Sequence, residues 1–204
     1  MKRILGVFAL TALLASASAH AQAQQAAGFY GTASAGWFQL QDRDGSVAGS
    51  SVKAEYDPGY ALTLGGGYAY GNGFRTEIEA GYAQANSDKM KVGATTGNGG
   101  DAEFWSLYAA AYYDFNVGGS FKPYLGGGLG WVHSHTDSAT VGGTRVAGGS
   151  SDDWSAFAEG GLNFALASNL DLVPGVRYTW YNDAKNGLED NGSWLFKVGL
   201  RYKF

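Results

Sequence analysis

Apolar and polar positions alternate along most of this chain, and the last eleven residues show it best. Trp194, Phe196, Val198, Leu200, Tyr202 and Phe204 are large and apolar, and Leu195, Lys197, Gly199, Arg201 and Lys203 stand between them. A period of two over that length predicts a β-strand with one apolar and one mostly polar face. The alternation recurs in seven earlier segments, at about Phe29–Leu40, Tyr60–Tyr70, Phe74–Ala85, Ala102–Phe115, Phe121–His133, Trp154–Leu166 and Leu170–Trp180. Each is ten residues or somewhat longer, the length of a tilted strand that crosses a membrane. Pro174 is the weak point of the seventh segment, because proline removes a ladder donor and a bulge there would reverse the facing of the segment's second half.

The connections alternate too. Gly71–Gly73, Asn116–Ser120 and Ala167–Asn169 are short and turn-like, whereas Gln41–Asp57, Asn86–Asp101, Ser134–Asp153 and Tyr181–Ser193 are long and polar. Short turns on one side and long loops on the other are the asymmetry of a membrane barrel, with both termini on the side of the turns. Aromatic residues fall near the ends of the apolar faces, as in Phe29 and Trp37, Phe121 and Trp131, or Trp154 and Phe164. That is the placement of interfacial girdles. The pattern predicts an all-β fold, an eight-stranded antiparallel up-and-down transmembrane β-barrel. Its apolar face is expected to point outward, free of charge in all eight segments, because a lipid-facing Arg or Lys costs roughly 2–4 kcal/mol at the bilayer midplane. A soluble barrel would turn the same face inward, and six tryptophans opposite Arg and Glu argue against it.

Composition fits this picture. The 204 residues include 33 glycines and no cysteine, so disulfide and thiolate chemistry are excluded. Residues 1–23 have the form of a secretory signal peptide: Lys2 and Arg3, an apolar run from Ile4 to Leu14, then small residues with cleavage expected after Ala21 or Ala23. Residues 24–204 are then one barrel domain. The formal charge of −4 becomes −6 once Lys2 and Arg3 leave. Strands and short turns hold six cations (Arg75, Lys122, Arg177, Lys197, Arg201, Lys203) and six acids (Glu77, Glu79, Glu103, Asp114, Glu159, Asp171), so the net charge lies in the long loops. Depth counted from the turns places Glu79, Glu159, Arg177 and Lys197 together near mid-lumen. An eight-stranded barrel leaves only enough interior for side chains, so these four are expected to pair and plug it.

The segments NGFRTEIEAGY (Asn72–Tyr82), YYDF (Tyr112–Phe115) and FKPYLGGGLGW (Phe121–Trp131), with the aromatic-ended last strand, resemble the porin-family outer-membrane β-barrel domain of opacity-type surface antigens. They are also similar to the transmembrane domain of outer membrane protein A. The resemblance implies a Gram-negative outer-membrane location reached through the periplasm, and interior acid–base pairing onto which Glu79, Glu159 and Arg177 map. Relatives carry a polar interior residue where this chain has Ala110, and Lys197 is the expected substitute. Phe196, Val198, Leu200, Tyr202 and Phe204 match an aromatic-ended assembly signal. Implied partners are outer-membrane lipids and lipopolysaccharide, the barrel-assembly machinery, and host or envelope proteins at the acidic loops.

Candidate chemistry is thin. His133-Ser134-His135 groups nucleophile and base types, but alternate strand residues face opposite ways, so Ser134 cannot serve either histidine. Asp42–Ser46 resembles part of a calcium loop without its later ligands, and an Asx-type turn accounts for it. Asp152-Asp153 and Glu189-Asp190 are solvated loop acids in the plainest reading, and a divalent-cation contact near lipopolysaccharide phosphate in the bolder one. The runs Gly65–Gly67 and Gly126–Gly128 sit inside strands with no following helix, so they are not phosphate cradles and instead relieve crowding. No catalytic residue, cofactor, metal site or nucleic-acid surface is expected. The expected role is structural and surface-exposed. A narrow porin-like channel is the alternative, and a lipid A-modifying enzyme a third reading.

Overall fold

The computed structural model describes residues 27–41, 43–47, 50–55, 57–85, 89–92, 95–97, 101–119, 121–141, 144–146, 148–181 and 192–204. Eight strands close the barrel: β1 (Gly28–Leu40), β2 (Gly59–Ala69), β3 (Phe74–Ala85), β4 (Ala102–Asp114), β5 (Phe121–Thr136), β6 (Gly149–Ala167), β7 (Leu170–Tyr181) and β8 (Gly192–Lys203). Each pairs antiparallel with its neighbours in sequence, and β1 closes on β8 from Tyr30↔Lys203 to Leu40↔Ser193. Closure leaves the wall without a free edge, so no strand face of backbone groups is left unpaired inside a membrane.

The facing is as the periodicity requires. Trp194, Phe196, Val198, Leu200 and Tyr202 are exposed on the outer wall, and Leu195, Lys197, Gly199 and Arg201 are buried inside. Pro174 causes no reversal: the β7–β8 register runs unbroken through Pro174↔Val198, and the only shift in the β6–β7 pair lies at Ala165/Ala167. One expectation needs correction. Glu103 stands on the outward face of β4, where it accepts a hydrogen bond from Tyr82 (3.2 Å). It escapes the hydrocarbon penalty because it lies beyond Trp105, toward the loops, where water and headgroups solvate it.

All six tryptophans (37, 105, 131, 154, 180 and 194) are exposed on the outer wall at the loop end of their strands. Phe29, Phe74, Phe121 and Phe204 are exposed at the turn end, with Tyr70 and Tyr202 among them. The eight-residue step from Phe29 to Trp37 spans about 26 Å of strand, or roughly 20 Å after a ~40° tilt, which suits the thin outer-membrane apolar band.

Two features of the long connections go beyond the sequence expectation. β5 and β6 run past the predicted ends, pairing continuously from Phe121↔Phe164 to Thr136↔Gly149. Arg43–Val47, Ser50–Glu55, Lys89–Val92 and Thr95–Gly97 form a separate four-stranded sheet, and Ala139–Val141 pairs with Thr144–Val146. Short polar strands carry too little apolar alternation to stand out from loop sequence.

The inner wall of β5 explains its glycines. Gly126, Gly128 and Gly130 face the lumen, and aromatic rings from both adjacent strands lie across them. A Cβ would stand 2.1 Å from Tyr112 Cδ1 at Gly126, 2.6 Å from Phe157 Cε1 at Gly128 and 2.4 Å from Tyr108 Cδ1 at Gly130. At the β2–β3 turn the need is conformational instead, since Gly73 has a φ of +92°, which other residues rarely adopt. Gly126→Ala should therefore destabilise the barrel by about 1–3 kcal/mol through overpacking. Gly119→Ala, with open space around the added methyl, should stay within about 0.5 kcal/mol. Urea unfolding in lipid vesicles measures both, and equal effects would refute the packing account.

Candidate functional site

The lumen is filled in three layers. At the loop end, Phe38, Leu40, Ala61, Ala83, Ala85 and Leu195 pack with Phe104 and Tyr181 into an apolar cap. Tyr108, Tyr112, Tyr124, Val132 and Phe157 form a second cluster along β4–β6.

The middle layer gathers Glu79 (β3), Glu159 (β6), Arg177 (β7) and Lys197 (β8), all buried. Glu159 and Arg177 are direct cross-strand partners. The Arg177 fork donates to both oxygens of Glu79 at 2.5 and 2.9 Å, while its Nε donates to Glu159 Oε2 at 2.7 Å. Lys197 Nζ lies 2.8 Å from Glu159 Oε2 and 3.5 Å from Glu79 Oε2. Tyr124 adds a hydrogen bond to Glu159 (2.8 Å), and the Arg177 guanidinium stacks 3.8 Å above the Phe157 ring centroid. Two carboxylates thus share two cations, and the planar fork suits bidentate contact. Ala110 is buried and makes no polar contribution, and Lys197 reaches the acids from β8.

The turn-end layer was not foreseen as a unit. Arg75 donates to Asp114 (3.2 Å) and Glu77 (3.3 Å), and Arg201 binds Asp114 (3.1 Å) and Asp171 (2.9 Å). Lys203 also reaches Asp171 (2.8 Å), and Arg75 lies 3.9 Å above the Tyr112 ring centroid. Counting depth one step closer to the turns would have found it: Arg75 follows the Gly71–Gly73 turn, and Asp171 faces Arg201 across β7–β8. The six-against-six census divides differently here. Five cations and five acids pair in the lumen, Glu103 stands outside, and Lys122 has no ion pair among the described residues.

The two charged layers are separated by a cavity of about 30 Å³, and one of about 40 Å³ lies between Arg177 and the apolar cap. Each holds about one water. Asn163 Oδ1 is the only buried side-chain nitrogen or oxygen without a hydrogen-bond partner among the described residues.

The remaining candidates lie outside the lumen core. His133 and His135 point outward and Ser134 points inward to Ser151 (3.2 Å). Asp152 contacts His133 (2.8 Å), and Asp153 accepts from Ser151 (2.5 Å). Arg43–Val47 is a strand, not the expected Asx-type turn, and Asp42 lies outside the described residues. Glu189-Asp190 and the signal segment 1–23 also lie outside them. Phe196, Val198, Leu200, Tyr202 and Phe204 line the outer wall. Among the described residues no group of His, Asp and Glu is arranged to hold a metal.

A closed antiparallel barrel with an apolar belted exterior and an ion-paired interior defines an outer-membrane β-barrel protein. The model of the outer membrane protein beta-barrel domain matches residues 9–204, and the chain belongs to that family. Among solved structures it is similar to Neisserial surface protein A, with 25% identity, 88% of this chain and 100% of that one covered, and a TM-score of 0.59. It also resembles OprG from Pseudomonas aeruginosa, with 17% identity, 90% and 99% covered, and a TM-score of 0.57. A major outer membrane protein from Thermus thermophilus shares the fold at 13% identity, with 88% and 100% covered and a TM-score of 0.57. No curated protein sequence matches. Family and fold together support an outer-membrane location.

Arg177→Met should cost about 3–5 kcal/mol in urea unfolding, because Glu79 and Glu159 would then share Lys197 alone. Combining it with Glu79→Gln should cost less than the sum of the single changes. Strict additivity would mean that the pair is not coupled.

Proposed function

We infer that this protein is a closed structural barrel of the outer membrane that presents its long loops at the cell surface. The observation that carries the reading is the filled lumen. An apolar cap and two neutralised ionic layers occupy it, and the voids between them hold single waters. Its secretion through the periplasm follows from the signal-like residues 1–23. The aromatic-ended β8 supplies the recognition strand for the assembly machinery, and the Trp-bearing wall contacts outer-membrane lipid and lipopolysaccharide. Partners at the surface meet loops whose composition is acidic and glycine-rich. Likeness to a protein named as a surface protein, at 25% identity over nearly the whole chain, supports surface exposure.

A narrow channel is the second reading. It draws on the two small cavities, which flank the Glu79–Arg177 layer above and below, so that moving one layer would join them. Single-channel recording on refolded protein separates the two. The closed reading expects no conductance steps in wild type, with Glu79→Gln no different. Steps of defined size that change in Glu79→Gln would transfer the assignment to the channel.

A further inference from the structure

The outer rim of β4–β6 carries a group of side chains that neither the lumen nor the lipid belt uses. β5 and β6 pair Trp131↔Trp154, His133↔Asp152 and His135↔Ser150. All six point to the outer wall, so above two tryptophans stands a square of His133, Asp152, His135 and Ser150. Ser150 comes from the strand opposite, which removes the objection that disqualified Ser134. Ser150 Oγ lies 2.8 Å from His135 Nδ1. On the far side of the ring, His135 Nε2 lies 3.6 Å from Asp137 Oδ1. The backbone of Asp137 is tied to the foot of β4 by its N–H bond to Asp101 O (3.0 Å). His133 is held by Asp152 (2.8 Å) and stacks on Trp131, with ring centroids 5.9 Å apart.

We propose that Ser150, His135 and Asp137 form a serine-nucleophile site for carboxylic esters at the outer membrane–water boundary, a role beyond the structural one above. The carboxylate opposite Nε2 favours the tautomer with a proton there, which leaves the Nδ1 lone pair facing the Ser150 hydroxyl. Ser150 Oγ attacks the ester carbonyl carbon, its proton passes to His135 Nδ1, and the carbonyl π pair becomes an oxyanion. Collapse breaks the bond to the alcohol oxygen, and His135 returns its proton to that leaving group. Water, deprotonated by the same nitrogen, then attacks the acyl carbon; the bond to Ser150 Oγ breaks, His135 returns the proton to that oxygen, and the carboxylic acid leaves. His133 sits diagonally across the ladder from Ser150, roughly 7–8 Å away, and its Nδ1 is taken up by Asp152 (2.8 Å), so the oxyanion is left to water at this exposed rim. Trp131 and Trp154 below, with Trp105 beside His133 on β4, give an acyl chain an apolar bed.

The ester could belong to a lipid in the outer leaflet or to a free amphiphile from the medium, and the chemistry is common to both. The test uses the mature chain refolded in lipid vesicles with a fluorophosphonate probe, followed by 4-nitrophenyl butyrate and then vesicle phospholipid as substrates. Probe labelling is expected in wild type and in Ser134→Ala, and absent in Ser150→Ala. His135→Ala should label and hydrolyse at least about 100-fold more slowly, the usual worth of a general base, and Asp137→Asn should fall between. Retained heat-modifiable mobility on gels shows that each variant folds. Turnover of the dispersed ester alone assigns a free substrate, and release of fatty acid from the vesicles assigns a lipid. Wild type that takes no label, or Ser150→Ala that labels like wild type, overturns the proposal.

Discussion

Hydrocarbon offers no hydrogen-bond partner, and the rest of this structure is a consequence of that. A backbone that crosses it as strands must satisfy every N–H and C=O within the wall, so the sheet closes and β1 meets β8. The same solvent rejects charge, which divides each strand into an apolar outer row and an inner row that takes whatever is polar. The inner row is then forced into a space too narrow for bulk water, where each ionised group must be met by another protein group.

That second constraint shapes the lumen. Buried ion pairs rarely stabilise a protein relative to apolar replacements, but leaving one partner alone is costly. The chain answers with neutral layers: two acids with two bases at mid-depth, three with three near the turns. Tyrosines serve both requirements here. Tyr124 and Tyr30 place rings in the packed interior and hydroxyls on the ionic layers, and the guanidinium carbons of Arg75 and Arg177 sit over aromatic rings. The glycines of β5 are the counterpart of this packing, because rings from β4 and β6 can cross only a wall without side chains.

Much of this was legible in the sequence. Period-two alternation gave the strands and their facing, since a strand has no other way to segregate Trp194 from Lys197. Depth counting grouped Glu79, Glu159, Arg177 and Lys197, because each strand rises by a fixed amount from a known turn. Other features were not legible. The Arg75–Asp114–Arg201–Asp171 layer depends on which of several neighbouring ions meet, and that is set by rotamers and stagger across four strands. Glu103 was assigned to the neutral barrel by its segment alone, although parity already placed it outward. The loop sheet and the upward extensions of β5 and β6 lack apolar alternation, so nothing in their composition separates them from solvated loop.

Those extensions matter for chemistry as well as shape. The outer wall tolerates imidazoles and carboxylates only beyond the tryptophan belt, and among the described residues Glu103, His133, His135 and Asp152 all stand there. β5 and β6 supply the rim because they outlast the other strands, so cross-strand pairing continues into the headgroup zone. A ladder holds facing side chains at fixed separation without help from a packed core, which a solvated loop cannot do. Hydrogen-bonded contacts such as Ser150–His135 and His133–Asp152 at the water boundary are therefore a product of strand length. The force that hides Arg177 inside the barrel also decides that outward-facing polar chemistry can begin only where the belt ends.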